Sequence, residues 1–276
     1  MIEIHVFEHR AMATTFQARI QGEEKSYAAQ AAAAAFQRLN ALESVLSRFR
    51  PGSEICQASA LLPGEFLRLS EPVFACLSLA KQMEQITRGA FSATPAALRN
   101  QPTPPLWELD QRTWMVHCQK GKLDFDLGAI GKGFALDRMK EILEEWGCEI
   151  HLLVAGGSSI RAGQPPLDLQ GWSCGLGDND SSQRYCLKNC SLSGSGLAVQ
   201  GRHILDPRSG QLAARDGRTW ALCDTAAESD ALSTAAMVLS HKELEEVLKL
   251  NCQWLAWIQE KDLWRCMGNR PLPARA

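Results

Sequence analysis

The stretch at residues 124–138, DFDLGAIGKGFALDR, constrains the fold more than any other part of the chain. Acidic and apolar residues alternate over 124–127, as they do at the end of a half-buried strand. The next six residues contain three glycines and a lysine: Gly128, Gly131, Lys132 and Gly133. Apolar residues then recur at helical spacing as far as Trp146, and Gly147 stands in the position of a C-cap. The sequence therefore predicts a strand, a glycine-rich turn and a helix, in this order.

A glycine-rich turn that opens a helix presents backbone N–H groups at the positive end of the helix dipole, where phosphate groups bind. The stretch is not a Walker A loop, since that motif needs glycine where Asp126 stands and serine or threonine where Gly133 stands. The glycine spacing does not match the dinucleotide-binding motif G-x-G-x-x-G either. Two interpretations stay open: a phosphate-binding turn, or a tight turn whose glycines serve geometry while Lys132 is solvated.

Composition limits the partners that the chain can take. Its 276 residues, 45% hydrophobic and 22% charged, can bury the core of one large domain or two small ones. The net charge of −2 gives no electrostatic reason to bind nucleic acid. No apolar run reaches the roughly 18 residues of a membrane helix, so no membrane insertion is expected. Residues 1–16 show neither the apolar region nor the cleavage site of a secretory signal.

The ten cysteines are scattered along the chain, and no C-x-x-C pair occurs among them. Scattered cysteines with apolar neighbours, such as Cys76 and Cys223, are typical of core positions in proteins of a reducing compartment. The expected location is therefore the cytoplasm.

Hydrophobic periodicity predicts a mixture of helices and strands along the chain. The predicted helices are residues 26–49, 71–87, 134–146, 229–239 and 241–250. Residues 2–20 are predicted to be a strand pair or an extended segment, and the further predicted strands are 114–118, 122–127, 150–155, 171–176, 185–191, 219–224, 253–259 and 263–267. The two segments that flank Lys120-Gly121 are expected to form a hairpin, as are the last two strands. Mixed helices and hairpins predict an α+β fold in one domain.

A hydroxyl-rich segment at residues 229–234, SDALST, supplies candidate metal ligands. Asp230 and Thr234 are four residues apart, so on a helix both side chains lie on one face, with Ser233 beside them. One carboxylate with hydroxyl groups is a hard oxygen set of the kind that binds Mg²⁺. The alternative is an acid near a helix N-terminus, followed by small residues that face the core.

Two further segments offer polar groups to a ligand. Residues 201–210, GRHILDPRSG, combine a turn with a histidine beside an apolar strand. A histidine titrates near neutral pH, so His203 can serve as a general base; the alternative is a structural histidine bonded to the backbone. The turn at residues 156–159, GGSS, either brings backbone donors close to a ligand or is a plain β-turn.

Taken in order, the segments DLGAIGKGFALD, LVAGGSSI, GRHILDPRSG and DALST resemble the FAD:protein FMN transferase family, the ApbE-like proteins. Three earlier segments fit the same pattern: 12–14 (MAT) is similar to the Met-Gly-Thr opening, 46–55 (LSRFRPGSEI) to the segment after the first helix, and 89–91 (GAF) to the Gly-Ala-Phe-Asp loop. The resemblance runs from about residue 12 to about residue 240. It implies one ApbE-like, T-fold-like domain, residues 1–276, with mixed or antiparallel sheets and flanking helices.

The family moves FMN from FAD to a threonine hydroxyl of an acceptor flavoprotein, releases AMP and requires Mg²⁺; some members hydrolyse FAD to FMN and AMP. The resemblance therefore implies FAD as substrate, Mg²⁺ as cofactor and an acceptor flavoprotein as partner. It also implies that Mg²⁺ is bound by the Ala129 carbonyl with Asp230, Ser233 and Thr234, and that FAD is contacted by Met12, Ala90, Phe91, Asp126, Lys132 and Ile204. The implied catalytic residues are His203, as base for the incoming hydroxyl, and Lys132, which neutralises charge on the phosphoryl oxygens.

The chain departs from the family pattern in several places. Ser92-Ala93 replaces the family's Asp-Pro, and residues 192–195 (LSGS) replace its Thr-Ser-Gly-Asp. Ser59 replaces an asparagine, and residues 156–159 (GGSS) replace Gly-Gly-Asn or Gly-Gly-Glu. The metal and phosphate segments are kept, whereas flavin-ring binding and acceptor recognition are affected. Two alternatives to transfer follow: an FAD pyrophosphatase, and a flavin-binding paralogue with weakened catalysis.

Overall fold

The computed structural model of the protein describes residues 3–95, 106–177, 183–196, 204–213 and 215–276. Within these ranges eight strands form the largest sheet, and every neighbouring pair in it is antiparallel. In their order across the sheet the strands are β1 (Ile4–Ala11), β2 (Thr14–Gln21), β6 (His151–Ala155), β7 (Ser159–Ala162), β10 (Ser191–Gly196), β11 (Arg218–Cys223), β12 (Leu255–Glu260) and β13 (Leu263–Gly268).

Two smaller antiparallel sheets and six helices complete the described part of the chain. The three-stranded sheet has the order β3 (Phe66–Arg68), β5 (Met115–Lys120), β4 (Leu106–Asp110), and the two-stranded sheet pairs β8 (Trp172–Leu176) with β9 (Gln183–Leu187). The helices are α1 (Lys25–Leu46), α2 (Glu54–Ser59), α3 (Glu71–Ile86), α4 (Gly131–Glu145), α5 (Ala226–Val238) and α6 (His241–Leu250). In the described ranges no helix is both long and apolar enough to span a membrane.

Alternate residues of the central strands face two different hydrophobic clusters. In β11, Trp220 and Leu222 belong to one cluster, and Ala221 and Cys223 to the other. Because successive side chains of a strand point to opposite faces, this sheet is buried on both sides. Helices cover one face, where α5 packs on β10 and β11, and the β8–β9 hairpin covers the other. Burial on both sides explains why residues 220–223 of β11 are a continuous apolar run.

Helices α1, α4 and α5 pack in a row, α1 on α4 and α4 on α5. The apolar stripe predicted for the first helix is buried in α1, from Ala28 to Leu46. The same cluster continues through α3 and into the three-stranded sheet, where Val116 is fully buried. This packing holds the N-terminal ends of α4 and α5 together beneath the large sheet.

The predicted fold class is confirmed, as are five helices and most strands. The first hairpin pairs β1 with β2, and the last pairs β12 with β13, as the sequence indicates. Helix α5 begins at Ala226, earlier than the predicted start at residue 229. The predicted hairpin around Lys120-Gly121 is wrong, because β5 pairs with β3 and β4 instead.

Residues 122–127 are not a strand, although their side chains alternate as predicted. Phe125 is fully buried, whereas Asp124 and Asp126 are partly exposed. The backbone, however, has no ladder partner: the Phe125 N–H donates to the Ser59 hydroxyl at 3.0 Å, and the Asp126 N–H donates to the Ala93 carbonyl at 2.7 Å. An extended loop that packs one side on the core therefore produces the same sequence pattern as a strand.

The predicted strand at residues 185–191 is also wrong as a single element. It contains the end of β9 and the start of β10, which belong to different sheets. Asn189 lies between them with φ of +49°, in the left-handed region that asparagine tolerates better than most residues. Apolar residues continue on both sides of this break, so hydrophobic periodicity alone does not locate it.

The two-residue turn of the first hairpin offers a test of backbone strain. Met12 and Ala13 have φ of +48° and +58°, and a residue with a Cβ pays about 1 kcal/mol to adopt this conformation. We expect Ala13→Gly to raise the free energy of unfolding by about 1 kcal/mol, measured by urea denaturation. Ala11→Gly, at the last position of β1, is the control and should lower stability; equal losses in both variants would contradict the assignment of strain to residue 13.

Candidate active site

The glycine-rich turn runs into α4, which begins at Gly131, three residues earlier than predicted, so Gly131, Lys132 and Gly133 belong to the first turn of the helix. The backbone donors of this segment are partly used within the protein. The Gly131 N–H donates to the Leu127 carbonyl at 2.6 Å. The Gly133 N–H, the third of the helix, donates at 2.7 Å to Oδ2 of Asp230, which lies in α5. Because the first N–H groups of a helix have no intrahelical partner, Asp230 acts as a cap for α4.

Gly133 is required by the close approach of the two helices. A Cβ built at this position would lie 2.1 Å from the Ala226 carbonyl oxygen and 2.4 Å from its carbon. No side chain fits at this distance from a backbone, so the α4 and α5 N-termini can touch only through glycine. The third glycine of the motif therefore serves helix packing.

A second carboxylate makes the same kind of contact in the opposite direction. Asp137 in α4 accepts hydrogen bonds from the N–H groups of Ala226 at 2.9 Å and Ala227 at 3.0 Å, the first two residues of α5. The next N–H of α5, that of Glu228, donates to the Thr225 hydroxyl in a capping box. We call the two contacts the reciprocal caps: Asp230 of α5 caps α4, and Asp137 of α4 caps α5.

Asp137 lies beside the buried Arg161, and 19% of the Asp137 side chain is exposed. The pKa of Asp137 is raised to about 6: burial raises it most and the nearby Asp230 also raises it, while the two backbone donors and Arg161 lower it. Nε of Arg161 lies 3.5 Å from Oδ1 of Asp137. Nε and Nη1 of Arg161 have no hydrogen-bond partner in the described part of the chain. The charge of Asp137 is thus stabilised first by the two backbone donors of α5 and then by a guanidinium that is itself incompletely hydrogen-bonded.

Asp230 joins three of the segments that the sequence singles out. Besides the Gly133 N–H, its carboxylate accepts a hydrogen bond from the Ser159 hydroxyl at 2.6 Å. Ser159 follows the glycine pair at 156–157 and opens β7. The side chain is almost wholly buried, with 5% of its surface exposed. The structure therefore brings the 124–138 stretch, the GGSS turn and the SDALST segment to one point.

Hydroxyl groups surround the next turn of α5. The Ser195 Oγ of β10 lies 2.9 Å from the Ser233 Oγ and 3.2 Å from the Thr234 Oγ1. The Ser233 hydroxyl also donates to the Asp230 carbonyl at 2.9 Å. Ser195 is not among the site residues predicted from the sequence; the only signal for it is its place in LSGS, where the family pattern has aspartate.

Asp126 is held by a residue that the sequence did not assign to the site. Nη1 of Arg48 donates to Oδ2 of Asp126, and Nη2 lies 3.6 Å from Oδ1 of Asp124. The other Asp126 oxygen accepts from the Gly128 N–H at 2.9 Å, which fixes the carboxylate over the start of the turn. About a third of the Asp126 side chain is exposed, so it remains accessible to a ligand. Arg48 lies in the 46–55 segment, which gave the only sequence signal for it.

The remaining predicted residues are distributed as follows. Lys132 is partly exposed, and within the described ranges its ammonium group has no hydrogen-bond or ion-pair partner. Met12 lies in the first hairpin turn, where its N–H donates to Glu43 at 2.8 Å. Ala90 and Phe91 are each 1% exposed and belong to the main core, and Ile204 is 8% exposed. His203 lies outside the described residues.

A carboxylate is present next to position 92, where the family pattern has aspartate. The Ser92 hydroxyl donates to Oε1 of Glu84 at 2.5 Å, and the Thr94 N–H donates to the Ser92 hydroxyl at 3.1 Å. Glu84 comes from α3 and is paired with Lys81 at 3.2 Å. The negative charge that the sequence lacks at residue 92 is therefore partly restored by a neighbouring helix.

The donor set around Asp230 is suited to a hard cation. It consists of the Asp230 carboxylate and the hydroxyls of Ser233 and Thr234 in the next turn of α5. The Ala129 carbonyl, the fourth ligand expected from the sequence, accepts no backbone hydrogen bond from the described residues. Each Asp230 oxygen accepts one hydrogen bond and keeps a second lone pair. In the described ranges no group of three or more His, Cys, Asp and Glu could hold a metal ion. These oxygen donors fit Mg²⁺, which in proteins keeps some of its water ligands and also coordinates phosphate oxygens. They do not fit Zn²⁺, which is bound mainly by cysteine and histidine.

Fold and site together describe an α+β protein that offers oxygen donors and a lysine beside a helix N-terminus. The model of the ApbE family matches residues 12–257, so the chain belongs to this family. A FAD:protein FMN transferase of Klebsiella pneumoniae (strain 342) is 24% identical, over 63% of this chain and 64% of the relative, just under two thirds of its length. One of Escherichia coli (strain K12) is 22% identical, over 90% of this chain and 82% of the relative.

Solved structures give the same architecture. The flavin transferase ApbE from Vibrio cholerae superposes with a TM-score of 0.83 at 18% identity, covering 98% of both chains. The ApbE protein of Thermotoga maritima superposes with a TM-score of 0.82 at 22% identity, covering 96% of this chain and 97% of the other. These likenesses show that the fold of this chain is that of the family.

The helix crossing at Gly133 gives a direct test of the site geometry. We expect Gly133→Ala to lower the free energy of unfolding by about 3 kcal/mol or more, because the methyl group must displace the backbone of Ala226. Urea denaturation with circular dichroism measures the change. Gly157→Ala is the matched control, since a Cβ there has no atom within 4 Å. Similar small effects in both variants would contradict the tight crossing.

Proposed function

We propose that this protein transfers FMN from FAD to an acceptor flavoprotein. The observation that carries the proposal is the convergence on Asp230, whose carboxylate joins the glycine turn, the GGSS turn and α5 at one buried point. These are the segments in which the chain resembles the family, and its named relatives are FAD:protein FMN transferases. The convergence supports a common site for a diphosphate and a cation.

The reaction that we propose is attack of a threonine hydroxyl on the FMN-side phosphorus of FAD. The new bond joins the threonine oxygen to phosphorus, and the bond from this phosphorus to the bridging oxygen breaks, so that its electron pair leaves with AMP. The hydroxyl proton passes to a base, for which we propose His203. An imidazole is suited to this step near neutral pH.

The bound cation would be Mg²⁺, held by the Ala129 carbonyl with Asp230, Ser233 and Thr234. When bound, it supplies positive charge to the phosphoryl oxygens. Lys132 has an ammonium group without a partner in the described ranges and stands in the first turn of α4, so we propose that it neutralises the charge on departing AMP. A cation that pairs with none of the described residues is available to a substrate anion.

We propose that Asp126 binds FAD as a hydrogen-bond acceptor, with its charge compensated by Arg48. Met12 and Ile204 would line the flavin or adenine pocket. Ala90 and Phe91 belong to the same set, and their burial supports a contribution by packing behind the pocket surface. We also propose one domain over residues 1–276, since a single cluster joins α1, α3, α4 and α5 to two sheets. A cytoplasmic location agrees with ten cysteines that are all free thiols.

FAD hydrolysis to FMN and AMP is the second candidate function. Water would then take the place of the threonine hydroxyl, with Asp230 and its hydroxyl neighbours in the same roles. The third candidate is a flavin-binding protein whose catalysis is weakened by the Ser92 and Ser195 departures.

Incubation with FAD and Mg²⁺, followed by chromatography for AMP and mass spectrometry of a co-expressed acceptor, distinguishes the three. We expect AMP and an acceptor that carries FMN on threonine, and both should fall roughly 100-fold or more in Asp230→Asn, which removes the charge but keeps the shape. Glu245→Gln, on the exposed face of α6, is the control and should retain full activity.

Each other outcome has a defined meaning. AMP without a modified acceptor indicates hydrolysis, and bound FAD without AMP indicates a binding protein. A fully active Asp230→Asn variant would remove the cation site from the proposal.

Position 195 tests how the charge of the donor set controls cation binding. A carboxylate at this position would lie beside the hydroxyls of Ser233 and Thr234, and the affinity of a hard-cation site rises with the number of charged ligands. We expect Ser195→Asp to lower the Mg²⁺ concentration for half-maximal AMP release about tenfold. Ser195→Asn has the same size without the charge; an equal shift in both variants would show that charge is not responsible.

A further inference from the structure

Asp137 is placed to set the position of α5 along its own axis. It lies four residues after Gly133 in α4, so both residues occupy the face that meets α5. Its carboxylate binds the first two N–H groups of α5, and Asp230 follows one turn later in that helix. Any displacement of the α5 N-terminus therefore moves the Asp230 carboxylate relative to the Gly133 N–H.

The apolar packing of α5 does little to fix this position. Half of the ten buried residues of α5 are alanines, and only Leu232 and Met237 among them have large apolar side chains. Hydrophobic burial is non-directional, and a face of small side chains offers few ridges that would oppose sliding. Directional hydrogen bonds must supply the register, and Asp137 makes two of them.

Side chains of strand β7 contact both carboxylates of the reciprocal caps and so connect them to the large sheet. Ser159 donates to Asp230, and Arg161, two residues further on, lies beside Asp137. Residues i and i+2 of a strand point to the same face, so one strand reaches both carboxylates. Asp137 thus belongs to a set of contacts that joins α4, α5 and β7. In the proposed site, Asp230 is the member of this set that lies next to the substrate.

We propose that Asp137 is a positioning residue: by holding the α5 N-terminus on α4 it sets the register at which Asp230, Ser233 and Thr234 meet the glycine turn. This inference rests on the proposed function for its catalytic consequence. Its structural part, the dependence of the Gly133–Asp230 hydrogen bond on Asp137, stands independently of that function.

The test uses Asp137→Asn in the full chain. The carboxamide keeps the shape but can accept only through its oxygen, so one of the two α5 N–H groups loses its acceptor and the other keeps only a neutral one. Because burial disfavours the ionised carboxylate, a neutral side chain of the same shape is tolerated and the variant is expected to fold. Asp137→Ser, smaller and also neutral, is the second variant in case the first does not fold.

Two measurements are made on each variant. Amide hydrogen exchange by NMR should show at least tenfold faster exchange at Ala226 and Ala227 and, decisively, at Gly133, whose partner is Asp230. Steady-state assays of AMP release should show a Mg²⁺ half-saturation raised about tenfold with the KM for FAD unchanged. The control is Glu141→Gln, which removes a carboxylate from the exposed surface of the same helix and should change neither quantity.

The outcomes separate this proposal from the proposed function. Faster exchange at Ala226 and Ala227 with an unchanged Gly133 amide means that Asp137 only caps α5, and it overturns the positioning role. An unchanged Mg²⁺ half-saturation in an active variant overturns it as well. If the unaltered protein releases no AMP, the proposed function fails, and the Gly133 amide alone then decides whether Asp137 sets the register.

Discussion

The candidate site depends on a reciprocal exchange of caps between two helices. Asp230 of α5 accepts the Gly133 N–H of α4, and Asp137 of α4 accepts the first two N–H groups of α5. Helix N-termini brought together in a protein interior leave unpaired donors, and each unpaired buried donor costs about 1–3 kcal/mol. Two carboxylates satisfy these donors here, and glycine at position 133 allows the backbones to approach closely enough for both bonds to form.

The large sheet holds the capped helices in place and adds polar groups of its own to the candidate site. Helix α5 lies on β10 and β11, and β7 sends the Ser159 hydroxyl to Asp230. From β10, the Ser195 hydroxyl reaches Ser233 and Thr234 in the next turn of α5. The polar groups of the candidate site are therefore fixed from several sides by hydrogen bonds within the protein. In the reaction that we propose, such support would limit the rearrangement needed when charge develops on a phosphoryl group.

Sequence reasoning located the segments of the site better than the contacts within it. The helix after the glycine turn and the grouping of Asp230 with Ser233 and Thr234 follow from periodicity and spacing, because both are local properties. Asp137 is part of the opening stretch, yet its partners Ala226 and Ala227 are 89 and 90 residues away and contribute only backbone N–H groups. Every residue type except proline has a backbone N–H, so the identity of these residues does not indicate the contact. Arg48 and Ser159 were missed for a related reason, since serine and arginine are common at surfaces and only proximity gives them a role.

The sequence by itself determined the α+β class, five of the six helices in the described ranges, the first and last hairpins, and the order of segments by which the chain resembles its family. Only the tertiary structure decided that residues 122–127 are a loop, that the third glycine permits a helix crossing, and that two aspartates exchange caps across it. The physical reason is the distance along the chain over which each effect acts. Periodicity and turn chemistry act over a few residues, whereas the donors, acceptors and free volume at a buried crossing come from segments that are distant in the chain and are set together only by packing.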